Sequence, residues 1–509
     1  MTGETGDQQQ ALEMYAQLFE TMAKDEYTIA DNFVTLKNYT ISLSNWLYTA
    51  LTQPLKMDYF QVQCADEELP QALPNFLQAA WFEIRAFVMS FYMDYTTIGF
   101  ASDAKDSDAN LTLWATGTRE DSLILRRLID TYFTPESDIS VTIKVITAGL
   151  QEAILAGIGP DVSNMTSTDT MTWGLRTAVE PLNDFEGFDE VMTWFPQAAL
   201  TPLTLNGVTY GLPTTMTFSM MFYRVDILYD LGIEIPDTWD DLYDIINILQ
   251  NKHLELGMFA NNAEGTEVFL YQMGETLFKD NGYRINLDNN TVLSAFETFT
   301  DFYIKYSCDI GWDVTRFRTG ELPIIFADAI TTYNTLMGCY ELRGLWEMAP
   351  LLGTVQEDGS INSTAIAAVT AIIIPRGANK EASWEYLKWY CSEDAQKRLV
   401  KETIMISQPT TKVSTTNINA MLSQPWTVYE KAAISDQLNN LAGIEEYPGI
   451  YIVPTYIDYA FKDVYNNRRD ASTAMLERII YINNEISRKR AEFGMETYEE
   501  QQAALESGS

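Results

Sequence analysis

The chain has 509 residues, of which 46% are hydrophobic and 12% aromatic, enough for about three domains that each bury a core. Its 71 acidic residues against 33 basic ones give a net charge of −38, a field that repels phosphate backbones and anionic lipid surfaces and argues against a nucleic-acid partner. A single histidine, His253, excludes multi-histidine metal sites and leaves no Ser-His-Asp or Cys-His chemistry that does not run through it.

Residues 1–108 predict a helical module. Leu12, Tyr15, Leu18 and Met22 follow helical spacing, as do Leu77, Ala80, Trp81, Ile84 and Val88, and Leu43, Trp46, Leu47 and Leu51 form another apolar face. Pro54, Pro70 and Pro74 interrupt the pattern, and the Ala-, Ser- and Asp-rich stretch 101–110 reads as a linker.

The texture then changes. A short strand at 111–114 precedes an amphipathic helix at 120–133, a strand at 139–145 that alternates Ile and Val, a helix at 150–157 and a strand opening at 160–162. Strand and helix in alternation mean a parallel sheet with crossovers, whose ligands sit at the carboxyl ends of the strands. That rule puts 115–119 and 163–166 beside any pocket.

Further along, 217–223 reads as a strand and 238–252 as a helix, with Thr238 as N-cap and Asp241 completing a capping box. A helix at 291–306, strands at 322–326 and 365–374, an aromatic-rich helix at 380–400 and one or two helices within 458–493 complete the series. His253 reads as a solvated helix-end residue, and the cluster Arg488, Lys489 and Arg490 as the cationic end of a long helix. Cys64, Cys308, Cys339 and Cys391 have no CxxC spacing, so they are buried thiols or hold one disulfide. No apolar run is long enough to span a membrane, and the polar start carries no secretion signal.

Six short patterns in this order carry a resemblance. They are LTLW at 111–114, GPDV at 159–162, GVTYGLP at 207–213 and FYRVD at 222–226 followed by Gly232 and PDTW at 236–239. FRTGELPII at 317–325 and IPRGANKEA at 374–382 complete the set. From about 109 to 493 the chain resembles the extracellular solute-binding proteins of ABC importers, in the carbohydrate-binding, maltose-binding-protein-like branch. The resemblance implies an α/β, periplasmic-binding-protein-like two-lobed fold (type II), preceded here by the α-helical module. Lobe one would take 109–215 and 371–412, lobe two 216–370 and 413–493, and the tail 494–509. Residues 73–95, with WFEIR at 81–85, resemble a segment found upstream of this fold in large multidomain versions from Gram-positive bacteria. The implied setting is extracellular and cell-surface, with membrane contact only through an anchor or upstream domains missing from this sequence.

The resemblance implies a binder and not an enzyme. It would capture a carbohydrate, an oligosaccharide above all, between the lobes and deliver it to the permease subunits of an ABC importer, without cofactor or metal. Sugars are held by flat aromatic rings against C–H faces and by carboxylates and amides on hydroxyls. Tyr271 falls where the family places a sugar-contacting aromatic, with Glu267 and Asn262 just before it on a polar loop. Asp328 follows a strand and can take two hydroxyls, and Tyr333 stands in for a tryptophan common in the family nearby. Trp312 and Trp346 sit in turn-like contexts, and Trp114 ends the first strand, whereas Trp173, Trp384 and Trp389 read as helix packing. Thr217 stands where maltose-binding protein has an acidic ligand-binding residue, and Gln408, Pro409 and 451–456 fall where the family often completes its cleft. A glycoside-active enzyme, or the same fold binding a peptide or polyamine, are the alternatives.

Overall fold

The computed structural model describes residues 9–25, 109–308, 310–406 and 411–507, with scattered positions between 28 and 98. Of the expected helical module, helix α1 (Gln9–Lys24) is described, and residues 80–85 are helical; the rest of 1–108 lies outside the described residues, as do Cys64, Gln408 and Pro409.

Two sheets organise the remainder. Leaving aside three two-stranded hairpins, the strands are β1 (Thr97–Ile98), β2 (Ala109–Ala115), β3 (Ile139–Val145), β4 (Val162–Thr166), β5 (Leu212–Thr217) and β6 (Ser219–Arg224). They continue as β7 (Leu256–Gly257), β8 (Ile324–Asp328), β9 (Trp346–Ala349), β10 (Ala365–Ile366), β11 (Ala368–Ile373) and β12 (Leu441–Ala442). The first sheet has the order β1-β3-β2-β4-β11-β5, and the second β9-β6-β8-β7. Strands β2, β3 and β4 run parallel, with Leu111 opposite Val141 and Leu113 opposite Ile143. Helical crossovers between them are α2 (Arg119–Leu128) and α3 (Leu150–Leu155), so the parallel reading of this region is correct.

The stretch 217–223 is not one strand. The chain leaves the first sheet at Thr217, turns at Phe218 and enters the second sheet at Ser219, and the Phe218 carbonyl accepts a 2.9 Å hydrogen bond from Ala329 N. It returns between β10 and β11, at Ala367. Apolar residues run through both crossings without Gly or Pro, so strand pairing in two different sheets makes the breaks.

The other helices of nine or more residues are α4 (Ser167–Leu175), α5 (Trp239–Gln250), α6 (Asn262–Gln272), α7 (Asn290–Ile304), α8 (Ala329–Met337), α9 (Lys380–Cys391) and α10 (Glu393–Ile406). They are followed by α11 (Val428–Asn439), α12 (Val453–Asn467), α13 (Ala471–Glu492) and α14 (Tyr498–Ser507). The capping box of α5 forms as expected, with Thr238 Oγ1 accepting from Asp241 N and the Asp241 carboxylate accepting from Thr238 N. The helix expected over 380–400 is two helices, because Ser392 is extended and its hydroxyl oxygen accepts from Ala395 N to cap the second. His253 is exposed just beyond α5, Cys339 and Cys391 are buried free thiols, and Cys308 is buried.

Each sheet has its own apolar packing. Leu111, Ile143, Phe133, Trp384 and Tyr386 pack about the first. Around the second, Trp239, Phe259, Phe269, Phe302 and Phe326 form a continuous aromatic cluster, with ring centroids 4.6–6.3 Å from Trp239. Rings at such separations contribute beyond simple area burial. Trp173 and Trp384 are buried packing residues, and Trp389 packs on Phe133 with centroids 5.1 Å apart. No described helix is long and apolar enough to cross a membrane.

Candidate functional site

Two cavities open where the chain crosses between the sheets. One, about 410 Å³, lies at the second sheet and is lined by Thr217, Ser219, Asn261, Glu264, Glu267, Trp312, Asp328 and Thr331, with Phe259 and Phe326 as apolar walls. The other, about 500 Å³, lies at the carboxyl ends of the first sheet's strands, among Thr116, Gln151, Glu152, Asn164, Thr166 and Asp169. The return crossing belongs to both, since Ile366 and Ala368 line the first cavity and Thr370 the second.

Local structure explains each position. Gly311 has φ 70°, a left-handed turn that a side chain disfavours, and it delivers Trp312 to the cavity just ahead of Asp313, the N-cap of the helix Val314–Thr319. Asp328 ends β8 and caps α8, accepting a 2.7 Å hydrogen bond from Thr331 N with one oxygen. Glu264 and Glu267 stand three residues apart on α6 and therefore share a face. Glu264 accepts a hydrogen bond from the Ser219 hydroxyl.

The electrostatics are dominated by carboxylates. Burial raises the proton affinity of Glu264, the Ser219 hydrogen bond opposes the shift, and Asp328 adds to it. Glu267 is pushed up to about 8 by burial first and then by the charges of Glu264 and Glu446. Glu446 is itself pushed up to about 7 by burial, against hydrogen bonds from the Ser167 and Thr168 hydroxyls at 2.8 and 3.0 Å, with Asp169 adding a smaller rise. Ser167 and Thr168 begin α4, so Glu446 ties the segment after β12 to the first sheet's helices.

Of the eight residues expected from sequence, Trp312, Glu267 and Asp328 come together in the cavity. The others do not line it. Asn262 is turned away, donating from Nδ2 to Asp458 Oδ1 at 3.0 Å; its neighbour Asn261, the N-cap of α6, faces the cavity instead. Tyr271 lies one helical turn beyond Glu267 and packs against the core, with burial raising its hydroxyl's pKa. Tyr333 is 3% exposed, donates to Glu430 Oε1 at 3.1 Å and packs edge-on against Trp346 and Trp426. Trp346 is not in a turn: it opens β9 opposite Arg224, packs on Phe222 and borders a separate cavity of about 330 Å³. Trp114 is the last residue but one of β2, with the Lys144 ammonium 5.4 Å from its ring centroid. Residues 451–456 lie off the cavity too, with Tyr456 stacked on Tyr481.

Sequence reasoning missed Glu264, Ser219, Glu446 and Asp169. The i, i+3 spacing from Glu267 could have found Glu264. Nothing local marks Glu446, which reaches the site only through the fold. Thr217 does line the cavity, and Glu264 and Asp328 supply the carboxylates that it lacks. Among the described residues, no three His, Cys, Asp or Glu side chains are grouped to hold a metal ion.

Residues 132–430 match the family described as bacterial extracellular solute-binding protein. The arabinooligosaccharide-binding protein of Bacillus subtilis (strain 168) is 23% identical over 211 residues, covering 39% of this chain and 48% of that protein. The lactose-binding protein of Rhizobium radiobacter is 21% identical over 299 residues, covering 56% and 66% respectively. The chain thus spans about a third to two thirds of the length of the curated relatives it matches. Among solved structures, the sugar-binding protein MalE of Xanthomonas citri superposes with a TM-score of 0.64 at 20% identity, over 76% of this chain and all of that one. A maltose-binding protein of Listeria monocytogenes, solved with maltose, gives 0.58 at 15% identity, over 75% of this chain and 99% of that one. These likenesses give the fold: α/β, two-lobed and periplasmic-binding-protein-like, as expected.

Proposed function

The chain belongs to the family of bacterial extracellular solute-binding proteins, and on that premise we propose that it captures a carbohydrate, an oligosaccharide above all, between two lobes. Lobe one takes 109–215 and 371–412, lobe two 216–370 and 413–493. The observation that carries the reading is Trp312 standing with Glu264, Glu267 and Asp328 in one cavity at the crossing between the sheets. A half-buried ring offers a face for sugar C–H groups, and three carboxylates offer acceptors for hydroxyls. A solute touching both lobes binds their closed arrangement better than the open one and shifts the population toward it. The chain then presents the solute to the permease subunits of an ABC importer, at the outer cell surface, held there by an anchor or by upstream domains. It binds and does not turn its solute over.

A panel of plant and host oligosaccharides tests this by thermal shift and small-angle scattering. At least one glycan should raise the melting temperature and reduce the radius of gyration, without new reducing ends forming. A full panel that changes neither quantity, or one that is hydrolysed, overturns the reading.

A further inference from the structure

The segment that follows β12 touches both lobes in turn. Strand β12 lies parallel to β10, with Ala365 N donating to the Asn440 carbonyl at 3.0 Å and Ala367 N to the Ala442 carbonyl at 2.8 Å. The return crossing between the sheets is therefore paired with 440–442. Gly443 then lies so close to the first lobe that a β-carbon on it would collide with the Ala198 carbonyl and Pro202. Three residues on, Glu446 accepts hydrogen bonds from the Ser167 and Thr168 hydroxyls, in the first turn of α4. Tyr447 returns to the second lobe, where its ring closes over Gly282 and packs on Phe278 with centroids 5.1 Å apart.

Glu446 holds this segment to α4, and its seat is poorly suited to an ion. It is 8% exposed. Its Oε1 takes both hydroxyl hydrogen bonds, while its Oε2 is buried with no hydrogen-bond partner. It has no ion pair among the described residues, and the charged groups that face it, Asp169 from α4 and Glu267 from α6, have its own sign. Glu445 beside it acts on Tyr271 and Tyr447. Arg490 of α13 donates to the carbonyls of Glu496 and Gly282 and acts on Tyr447 rather than on Glu446. A buried carboxylate with one bare oxygen and like charges beside it is costly, whereas the neutral acid keeps both hydroxyl hydrogen bonds without that cost. In water the ion is the better form. Burial accordingly pushes the seated group's proton affinity up to about 7.

We infer that Glu446 is a proton-dependent tie between the lobes: as a neutral acid it stays seated on Ser167 and Thr168, and on ionising it leaves them, which frees 443–447 from α4 and loosens the hinge. The tie acts in the empty protein, so it stands or falls apart from the carbohydrate reading. Its sign follows from linkage. The seated form holds the proton and the released form gives it up, so seating is favoured in mild acid and lost as pH rises. The ratio of released to seated chains should grow about tenfold per pH unit once Glu446 titrates.

Pulsed electron paramagnetic resonance on the full chain without solute tests the inference. Spin labels go on Ile158→Cys in the first lobe and Tyr229→Cys in the second, both exposed positions, with Cys64→Ser in the background and the remaining thiols buried. The interlobe distance distribution should be narrow at about pH 5.5 and broaden or shift by about pH 9. Glu446→Gln keeps an acceptor oxygen and cannot ionise, so it should hold the acid distribution at both values. Ser167→Ala combined with Thr168→Val removes the seat and should give the alkaline distribution already in acid, with circular dichroism showing that each variant folds. A parent distribution that does not change with pH, a pH response that survives in Glu446→Gln, or a double variant as narrow in acid as the parent overturns the inference.

Discussion

Gly257 lies directly against Trp312: a β-carbon placed on Gly257 would come within 2.7 Å of Trp312 Cβ and equally close to Ile325 Cγ2. Strand β7 thus lacks a side chain at Gly257 so that the cavity's tryptophan can pack where it does. Gly257→Ala should push Trp312 from its place and cost about 1–3 kcal/mol through overpacking. Urea denaturation gives the stability loss. A variant that also keeps its full ligand response would show that the position of Trp312 does not matter.

Trp312 and Trp346 should part company under substitution. Trp346 is 9% exposed and packed between Phe222 and Tyr333, so Trp346→Ala should cost about 3–5 kcal/mol. Trp312→Ala should cost less stability and abolish the solute response. The comparison needs only melting curves with and without ligand.

Gln272 is fully buried and holds together three elements. Its Oε1 accepts from Trp239 Nε1 at 2.7 Å and from Thr354 Oγ1 at 3.0 Å, while its Nε2 donates to the carbonyls of Leu352 and Thr364. Gln272→Ala strands these groups, each with a desolvation penalty of about 1–3 kcal/mol. The expected loss is roughly 3 kcal/mol or more, read from the urea midpoint at constant slope.

Two of the three carboxyls with raised proton affinity, Glu267 and Glu446, set a pH dependence whose sign is fixed. Glu267 and Glu446 titrate near 8 and 7 in the folded chain, against an ordinary value of 4.5. Between those values the folded state holds more protons than the unfolded one, so this contribution to stability is present below about pH 4.5 and is lost as pH rises through 7 to 8. Glu267→Gln removes its share. The variant's melting temperature relative to the parent chain should therefore rise between pH 5 and pH 8.5. A constant difference across that range would show that Glu267 is not held up by its surroundings.

Much of the fold was legible because local rules and tertiary pairing agree. The capping box at Thr238 and Asp241 and the alternation over 139–145 each needed only a short window of sequence, and the six motifs needed only their order along the chain. The breaks at Phe218 and Ser392 were not legible, because pairing in two different sheets makes one and a lone serine cap the other. The site divides in the same way. Trp312 and Asp328 stand out beside a turn and at a strand end, whereas Glu267 and Asn262, expected on a polar loop, lie on helix α6, whose N-cap is Asn261. Trp346 and Tyr333 look alike in composition but are consumed by the core. Glu446, distant in sequence, lines neither cavity and acts on Glu267 only through its charge.

The central claim is that a saccharide seats on Trp312 between the two lobes, and scattering with the parent chain and Trp312→Ala side by side tests it most directly. The account predicts that a glycan which shrinks the parent chain's radius of gyration and raises its melting temperature does neither to the variant. A glycan that compacts both proteins equally, or a full panel that compacts neither, would contradict it.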